Sequence, residues 1–513
     1  MSTFPWLTAL LAFPLMSAAV VMVMPKGNAA TVKRAAFGFS LVPVAIIAYL
    51  WSQFDANATE QFQFAENTEW IRGWGVHYAL GVDGIALAMI ALSVILVPVV
   101  IIAGWNDVEN RGSGNVAEYF AWFLVLETFM VGVFAATDVF LFYVFFEAML
   151  VPVYFLIGRF GGPRGAFAAM KFFIYSLVGG LIMLAALIGL YVISSRNGIG
   201  SFAYADLLGL KMDPNTQKLL FLGFFAAFAI KAPLVPVHTW LPDAAQQATP
   251  ATTVLLVGVL DKVGTFGMLR LCLPLFPEAA RWFTPTVLIL GLVGIIYGAI
   301  VAIGQTDMRR LIAFTSISHF GFITIGVFVM TSLGQSGATL YMVNHGFSTA
   351  ALLLLVGYLI SRRGSARIAD FGGVHKVAPV LAGLFLVAGL SSLALPGMSS
   401  FVSEFMVLQG TFLQHPVIAL IATSGVVLAA TYILVMYKRT MTGPVGQGVE
   451  VVTELNRREI WAISPLVAAL LVFGFFPKPV LDVVNPAIAR VMQQIGAVDP
   501  QPRVAVVDTK AGQ

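Results

Sequence analysis

LLFLGFFAAFAIKAPLVPVHTWLPDAA, residues 219–245, places one ammonium group in the middle of an apolar run. Lys231 has twelve uncharged residues before it and eleven after it, with His238 taken as neutral. A charge near the centre of a bilayer costs roughly 2.5 to 3.5 kcal/mol even on the lenient insertion scale. Pro233 and Pro236 follow at once, and each removes a helical hydrogen bond and kinks the chain. A charge and a helix break at the same membrane depth are the marks of a transporter's ion site.

The rest of the chain fits that setting. It is 59% hydrophobic and 11% charged over 513 residues, against roughly 25% charged for a soluble domain. Mean hydropathy is +0.90. Apolar runs of about 20 residues follow one another, each long enough to cross a bilayer. The expectation is an all-α integral membrane protein of about fourteen transmembrane helices, at 4–24, 34–52, 84–104, 117–136, 138–159, 168–193, 218–241, 249–271, 284–304, 309–331, 338–361, 379–410, 416–438 and 458–476. The first run lacks a positively charged flank and continues into further spans, so it reads as a retained helix and not a signal peptide.

The connections after odd-numbered spans hold Lys26, Lys33, Arg34, Arg111, Arg159, Arg164, Arg309, Arg310, Arg362, Arg363, Arg367, Lys376, Lys438, Arg439, Arg457 and Arg458. The opposite loops hold Arg72, Arg196, Lys211, Lys218 and Arg281. Basic residues collect on the cytoplasmic side, which puts both termini on the non-cytoplasmic side of an inner (plasma) membrane. The pI near 9.1 follows from these loops. Without a basic patch interleaved with aromatics, it does not point to nucleic acid. The lone cysteine, Cys272, excludes an intramolecular disulfide. No cluster-ligand spacing, GxGxxG or P-loop occurs, so no redox cofactor, nucleotide or metal is expected in this chain.

The ionisable residues at membrane depth are Glu127, Glu147, Lys171, Lys231, His238, Asp261, Lys262, His319, His345 and Glu404. Glu147 precedes Lys231 by 84 positions and His319 precedes Glu404 by 85. The two pairs are offset by 172 to 173. The same offset carries Lys171 to Asn344, beside His345, and the break at Pro233 falls close to LALPGM at Pro396. Two five-helix units, 117–271 and 284–438, are expected. An odd helix number inverts the second, and each contains a discontinuous helix. Residues 1–116 would hold helices 1–3, and 439–513 the last span and a tail.

Each residue has a plain alternative. Glu147 could be a neutral, merely hydrogen-bonded acid, but Lys231 at matching depth makes an ion pair the better reading. Lys231 could only satisfy carbonyls freed by its prolines; beside an adjustable carboxylate it also has the tunable proton affinity that a relay needs. Lys262 lies mid-helix, with Asp261 about 100° away around the axis, so the two need not pair. His319 and His345 could be core histidines, proton carriers or haem ligands, and no convincing second histidine pair supports haem. Glu404 lies eight residues beyond Pro396, with Ser399, Ser400 and Ser403 able to support water. Lys171 could snorkel to the surface, His238 sits in the break, and Glu127 could link laterally to Lys231 or to a neighbouring subunit.

FFEAMLVPVYFLIG, FAIKAPLVPVHTWLPDA, GVLDKVGTFGMLR and LALPGMSSFVSEFMVLQG together resemble the antiporter-like membrane subunits of respiratory complex I. The resemblance covers roughly residues 70 to 480. Glu404 stands where the L-like and N-like branches and most Mrp antiporter subunits carry lysine. The chain also ends soon after helix 14, without the long lateral helix of the L-like branch. The resemblance implies a proton-translocating subunit of NADH:quinone oxidoreductase. Its partners would be the other complex I membrane subunits, the L-like and N-like chains among them. NADH, FMN, iron–sulfur clusters and quinone would be bound by other subunits. Glu147 and Lys231 would form an ion pair, Lys262 the central relay, His319 and His345 the continuing line, and Glu404 the terminal group. Asp261 before the central lysine and QQATPATT in place of an HVEAPT-like stretch depart from the family pattern. An Mrp-type sodium/proton antiporter subunit and an inert scaffold are the alternatives. Glu404 weighs against the first, and the cost of burying so many charges weighs against the second.

Overall fold

The computed structural model describes residues 4–25, 28–111 and 115–500; Lys26, the side chain of Arg111 and the last part of the tail lie outside them. Among the described residues, fourteen passages of helix cross the molecule. Eleven of them are single helices long and apolar enough to span a membrane: α1 Trp6–Val23, α2 Ala29–Gln53, α3 Gly84–Ala103, α4 Val116–Ala135, α5 Val139–Gly158, α6 Gly165–Arg196, α11 Pro277–Ile303, α12 Met308–Phe328, α13 Ser332–Arg363, α16 Pro416–Met441 and α17 Arg457–Phe475. The other three are composite. One is α7 Pro214–Lys231 followed by α8 Trp240–Gln247. Another runs from α9 Pro250–Leu255 through a π-helical turn at Leu256–Leu260 into α10 Lys262–Gly267, and a second π-helical turn follows at Met268–Cys272. The last is α14 Pro379–Ser392 followed by α15 Ser399–Gln414. A further helix, α18 Lys478–Gln494, packs against α3 and α13.

Side-chain caps fix most of these starts. Asp83, Asn115, Asp138, Asp213, Thr249, Asp307 and Thr331 each accept from a backbone N–H two or three residues ahead, and Asn456 with Glu459 closes a capping box. In a membrane these caps matter more than in water, because an orphaned helix-end donor there has nothing else to bond.

One element is absent from the sequence reading: an antiparallel hairpin of β1 Gln63–Ile71 and β2 Val76–Val82 between α2 and α3. The all-α class stands with this small addition.

Burial sorts the helices into layers. The most apolar stretches of α12 and α13 are 100% and 94% buried inside the chain, whereas those of α16 and α17 are 33% and 28% buried. The outer helices turn apolar stripes outward, such as Phe167, Ile174, Leu181 and Ile188 on α6. Those stripes suit a lipid environment, and the two most buried spans, α12 and α13, form the axis. A long helix precedes a broken one twice: α6 before α7 and α8, and α13 before α14 and α15. The 32-residue α6 begins at 165 and the 32-residue α13 at 332, a shift of 167.

Candidate functional site: a buried line of ionisable groups

The π-helical turns determine what Lys262 does. At Leu256–Leu260 the backbone ladder shifts, and the Asp261 N–H bonds the Leu256 and Val259 carbonyls. The Val257 carbonyl is thereby released from Asp261 and accepts the Lys262 ammonium instead. Helical side chains lean toward the N-terminus, so Lys262 reaches back along its own helix and also meets Asp261 Oδ1 at 3.0 Å. The expectation that these neighbours need not pair is corrected. Both residues are fully buried, and an ion pair so placed holds only with further partners. Lys262 has them: Val257 O, the Phe320 ring at 5.1 Å, and His345 Nδ1 at 2.7 Å.

From His345, on α13, the line continues to α12. The His319 and His345 rings meet edge to face, 5.2 Å between centroids. His319 Nε2 lies 3.3 Å from the Tyr432 hydroxyl of α16, and its ring lies 5.8 Å from Tyr341. The Tyr341 hydroxyl donates to Glu404 Oε2 at 2.7 Å. Asn344 clamps α15 to α13 by donating to the Ser399 carbonyl at 2.7 Å and Ser403 Oγ at 3.3 Å. Lys262, His319, His345 and Glu404 therefore form one connected group with Asp261, Tyr341 and Tyr432, every member less than 5% exposed.

Glu147 and Lys231 stand apart from it. Lys231, the last residue of α7, is fully buried, and its ammonium has no hydrogen-bond partner among the described residues. It lies over the rings of Phe146 at 4.8 Å and Phe172 at 5.6 Å. The carbonyls freed by the break find other donors: Leu234 N–H bonds Ala229 O, and Trp240 Nε1 bonds Ile230 O at 2.9 Å. Lys231 is thus not needed to satisfy the break. Glu147 rests on Gly180 of α6, where a Cβ would come within 1.6 Å of its Oε1. Glu147 and Lys231 act on each other electrostatically. No contact within 4 Å joins them among the described residues, so the expected ion pair is not closed here.

The supporting residues divide. Lys171 does not snorkel alone: it bonds Asp243 Oδ2 at 2.7 Å, and Arg310 of α12 bonds Asp243 Oδ1 at 2.7 Å. His238 packs its ring 5.1 Å from that of Tyr297 on α11, facing the second helical set. Glu127 is fully buried, and among the described residues neither of its oxygens is hydrogen-bonded. It therefore faces no neighbouring subunit and does not touch Lys231; the half-buried Glu147 lies nearer the surface.

Sequence reasoning missed Tyr341, Tyr432, Asp243 and the buried Arg270. Arg270 pairs with Asp83 at 2.5 Å amid the rings of Phe62, Tyr204 and Phe266. Tyr341 had a signal, lying four residues before His345 on the same face of α13. Tyr432 had none, because only tertiary packing brings α16 to His319.

Residues 136–429 match the family described as NADH:quinone oxidoreductase/Mrp antiporter, TM. The NADH-quinone oxidoreductase subunit M of Mycobacterium tuberculosis is 49% identical, covering 98% of this chain and 97% of its own length. The NADH-ubiquinone oxidoreductase chain 4 of Marchantia polymorpha is 34% identical over 95% and 97%. A chain of respiratory complex I from Thermus thermophilus with bound NADH superimposes with TM-score 0.86 at 30% identity, covering 96% of this chain and all of that one. A chain of the Mrp complex from Dietzia sp. shares the fold, with TM-score 0.81 at 21% identity over 96% of this chain. Identity of this extent, carried over nearly the whole length of both chains, means that this chain belongs to the subunit M family of antiporter-like NADH:quinone oxidoreductase membrane proteins.

Proposed function

We propose that this chain moves protons as a membrane subunit of NADH:quinone oxidoreductase, along the buried line from Lys262 to Glu404. The observation that carries the reading is the unbroken set of contacts Asp261–Lys262–His345–His319–Tyr341–Glu404. Lys262 can pass a proton to His345 Nδ1 at hydrogen-bond distance. Among the described residues His345 Nε2 and His319 Nδ1 have no hydrogen-bond partner, and a bridging water can join them. Tyr341 passes its hydroxyl proton to Glu404 and takes another from the His319 side, across a separation that water would fill. Glu147, Lys231 and the linking Lys171–Asp243–Arg310 group form a second segment, which acts on Lys262 through charge: moving a proton at one site changes the proton affinity of the next.

The chain is proposed to hold no redox centre. The two histidine rings contact each other directly and one of them bonds Lys262, which leaves no plane between them for a haem. Two inverted units over 117–271 and 284–438, termini on the non-cytoplasmic side of the plasma membrane, and L-like and N-like neighbours complete the proposal. Proton uptake by vesicles carrying the assembled complex tests it. Loss of pumping with Lys262→Ala, assembly intact, is expected; normal pumping would sink the relay.

A further inference from the structure

We infer that the cavity walled by Asn106, Asp107, Pro250, Tyr358, Arg458 and Glu459 is a hydrated vestibule that delivers protons to Lys262 from the face bearing the basic loops. This rests on the relay proposed above and adds its entrance. The cavity measures about 210 Å³ and lies where α3, α9, α13 and α17 meet, enough for several waters. Two buried polar atoms in its wall lack hydrogen-bond partners among the described residues, the Tyr358 hydroxyl and Arg458 Nε. Tyr358 is only 5% exposed. Its hydroxyl lies in the fields of Asp107, Arg362, Arg458 and Glu459, two acids and two bases. Arg362 is already held by Glu459 at 2.5 and 3.1 Å and by the carbonyls of Tyr358, Thr453 and Glu454. A charge-balanced wall with orphaned hydroxyl and guanidinium atoms suits water better than an anion.

A chain of hydroxyls leads inward from that wall. Tyr119 donates to Asp107 Oδ2 at 3.2 Å and lies 2.7 Å from Thr249 Oγ1, which donates to Thr252 Oγ1 at 2.9 Å. Thr252 is on α9, five residues before the Val257 carbonyl that holds the Lys262 ammonium. Five residues of helix rise about 7.5 Å, a gap that one or two waters would bridge. The released carbonyl at the π-turn is then the last fixed acceptor before the lysine.

The test uses the assembled complex in membrane vesicles, with Cys272→Ser as the background. Leu354→Cys and Ala251→Cys each place a thiol in the cavity wall, Ser361→Cys one at its mouth, and Leu352→Cys one on the same helix away from it. A small, membrane-impermeant methanethiosulfonate is added from the basic-loop face. Leu354→Cys and Ala251→Cys should react within about tenfold of Ser361→Cys, and Leu352→Cys should stay inert. The bound label should slow proton pumping at least about tenfold, equivalent to about 1.4 kcal/mol on the barrier. Inert thiols at both 354 and 251, or reaction only from the opposite face, overturn the vestibule. So does full pumping by labelled protein in vesicles where Lys262→Ala stops pumping, and in that case the relay itself stands. Normal pumping by Lys262→Ala removes relay and entrance together.

Discussion

Lys262 Nζ and His345 Nδ1 lie 2.7 Å apart, so only one of the two facing nitrogens can carry a proton toward the other. A doubly protonated pair would aim two N–H bonds at each other. The pair therefore has two states, with the proton on the lysine or on the imidazole, and moving between them is one step of transport.

Lys262→Arg separates a carrier from a fixed charge. Arginine keeps the positive charge opposite Asp261 but does not release its proton in proteins. The complex should assemble, and pumping should fall by about 10² or more, the usual contribution of a positioned proton-transfer group. Near-normal pumping by Lys262→Arg would reduce the residue to an electrostatic anchor. Initial rates of proton uptake, with assembly checked on native gels, decide it.

Glu404 should behave as a titrating terminus. Glu404→Gln keeps shape and hydrogen bonding without a releasable proton and should impair pumping severely. Glu404→Asp keeps the acid about one methylene short of Tyr341 and should retain part of the activity. A purely structural glutamate predicts the reverse order, because a neutral amide is cheaper to bury than a carboxylate. Tyr341→Phe removes the only hydroxyl bonded to Glu404 among the described residues and should slow pumping by about tenfold, a loss of roughly 1 to 2 kcal/mol.

Gly180→Ala tests the placement of Glu147 without altering any charge. The new methyl group would occupy the position of Glu147 Oε1, so the carboxyl must leave its present seat. Coupled quinone reduction should drop toward the level of Glu147→Ala or Lys231→Ala, each of which should lose most pumping in an assembled complex. A fully active Gly180→Ala complex would mean that the observed seat of Glu147 is immaterial.

The Lys171–Asp243–Arg310 group should contribute to stability, because Asp243→Ala leaves two partly buried cations facing each other. Its side chains are 23%, 23% and 27% exposed, so solvent screens them and each pair should contribute about 1 kcal/mol. In thermal melts of the purified complex, Asp243→Ala should lower the midpoint more than Lys171→Met or Arg310→Met. A strictly additive Asp243/Arg310 double-mutant cycle would refute the coupling between the two helical sets.

The sequence made the spans legible because a membrane leaves few ways to satisfy backbone groups: length, hydropathy and proline placed all fourteen passages. It also marked Lys231, Lys262 and Glu404, since a charge at that depth has no cheap explanation. It could not show which charges meet. Asp261 looked remote from Lys262 on an ideal helix, and the π-turn that joins them leaves no mark in the residue pattern. The Glu147–Lys231 pair looked closed because depth alone was visible, while the phenyl rings of Phe146 and Phe172 beside the lysine were not. The hairpin at 63–82 escaped because a short polar strand pair carries little signal within a chain read for helices.

The enclosure of α12 and α13 has a consequence for how the chain is made. Synthesis delivers these two polar helices to the bilayer before α14 to α17 exist, yet in the finished molecule they have almost no surface left for lipid. For that interval His319 and His345 depend on whatever covers them. The later helices thus act as a folding checkpoint as well as a wall. A chain stopped after residue 378 should be inserted and then rapidly degraded, which pulse-chase labelling in membranes would reveal. A long-lived truncated chain would mean that the line of charges can seal itself without them.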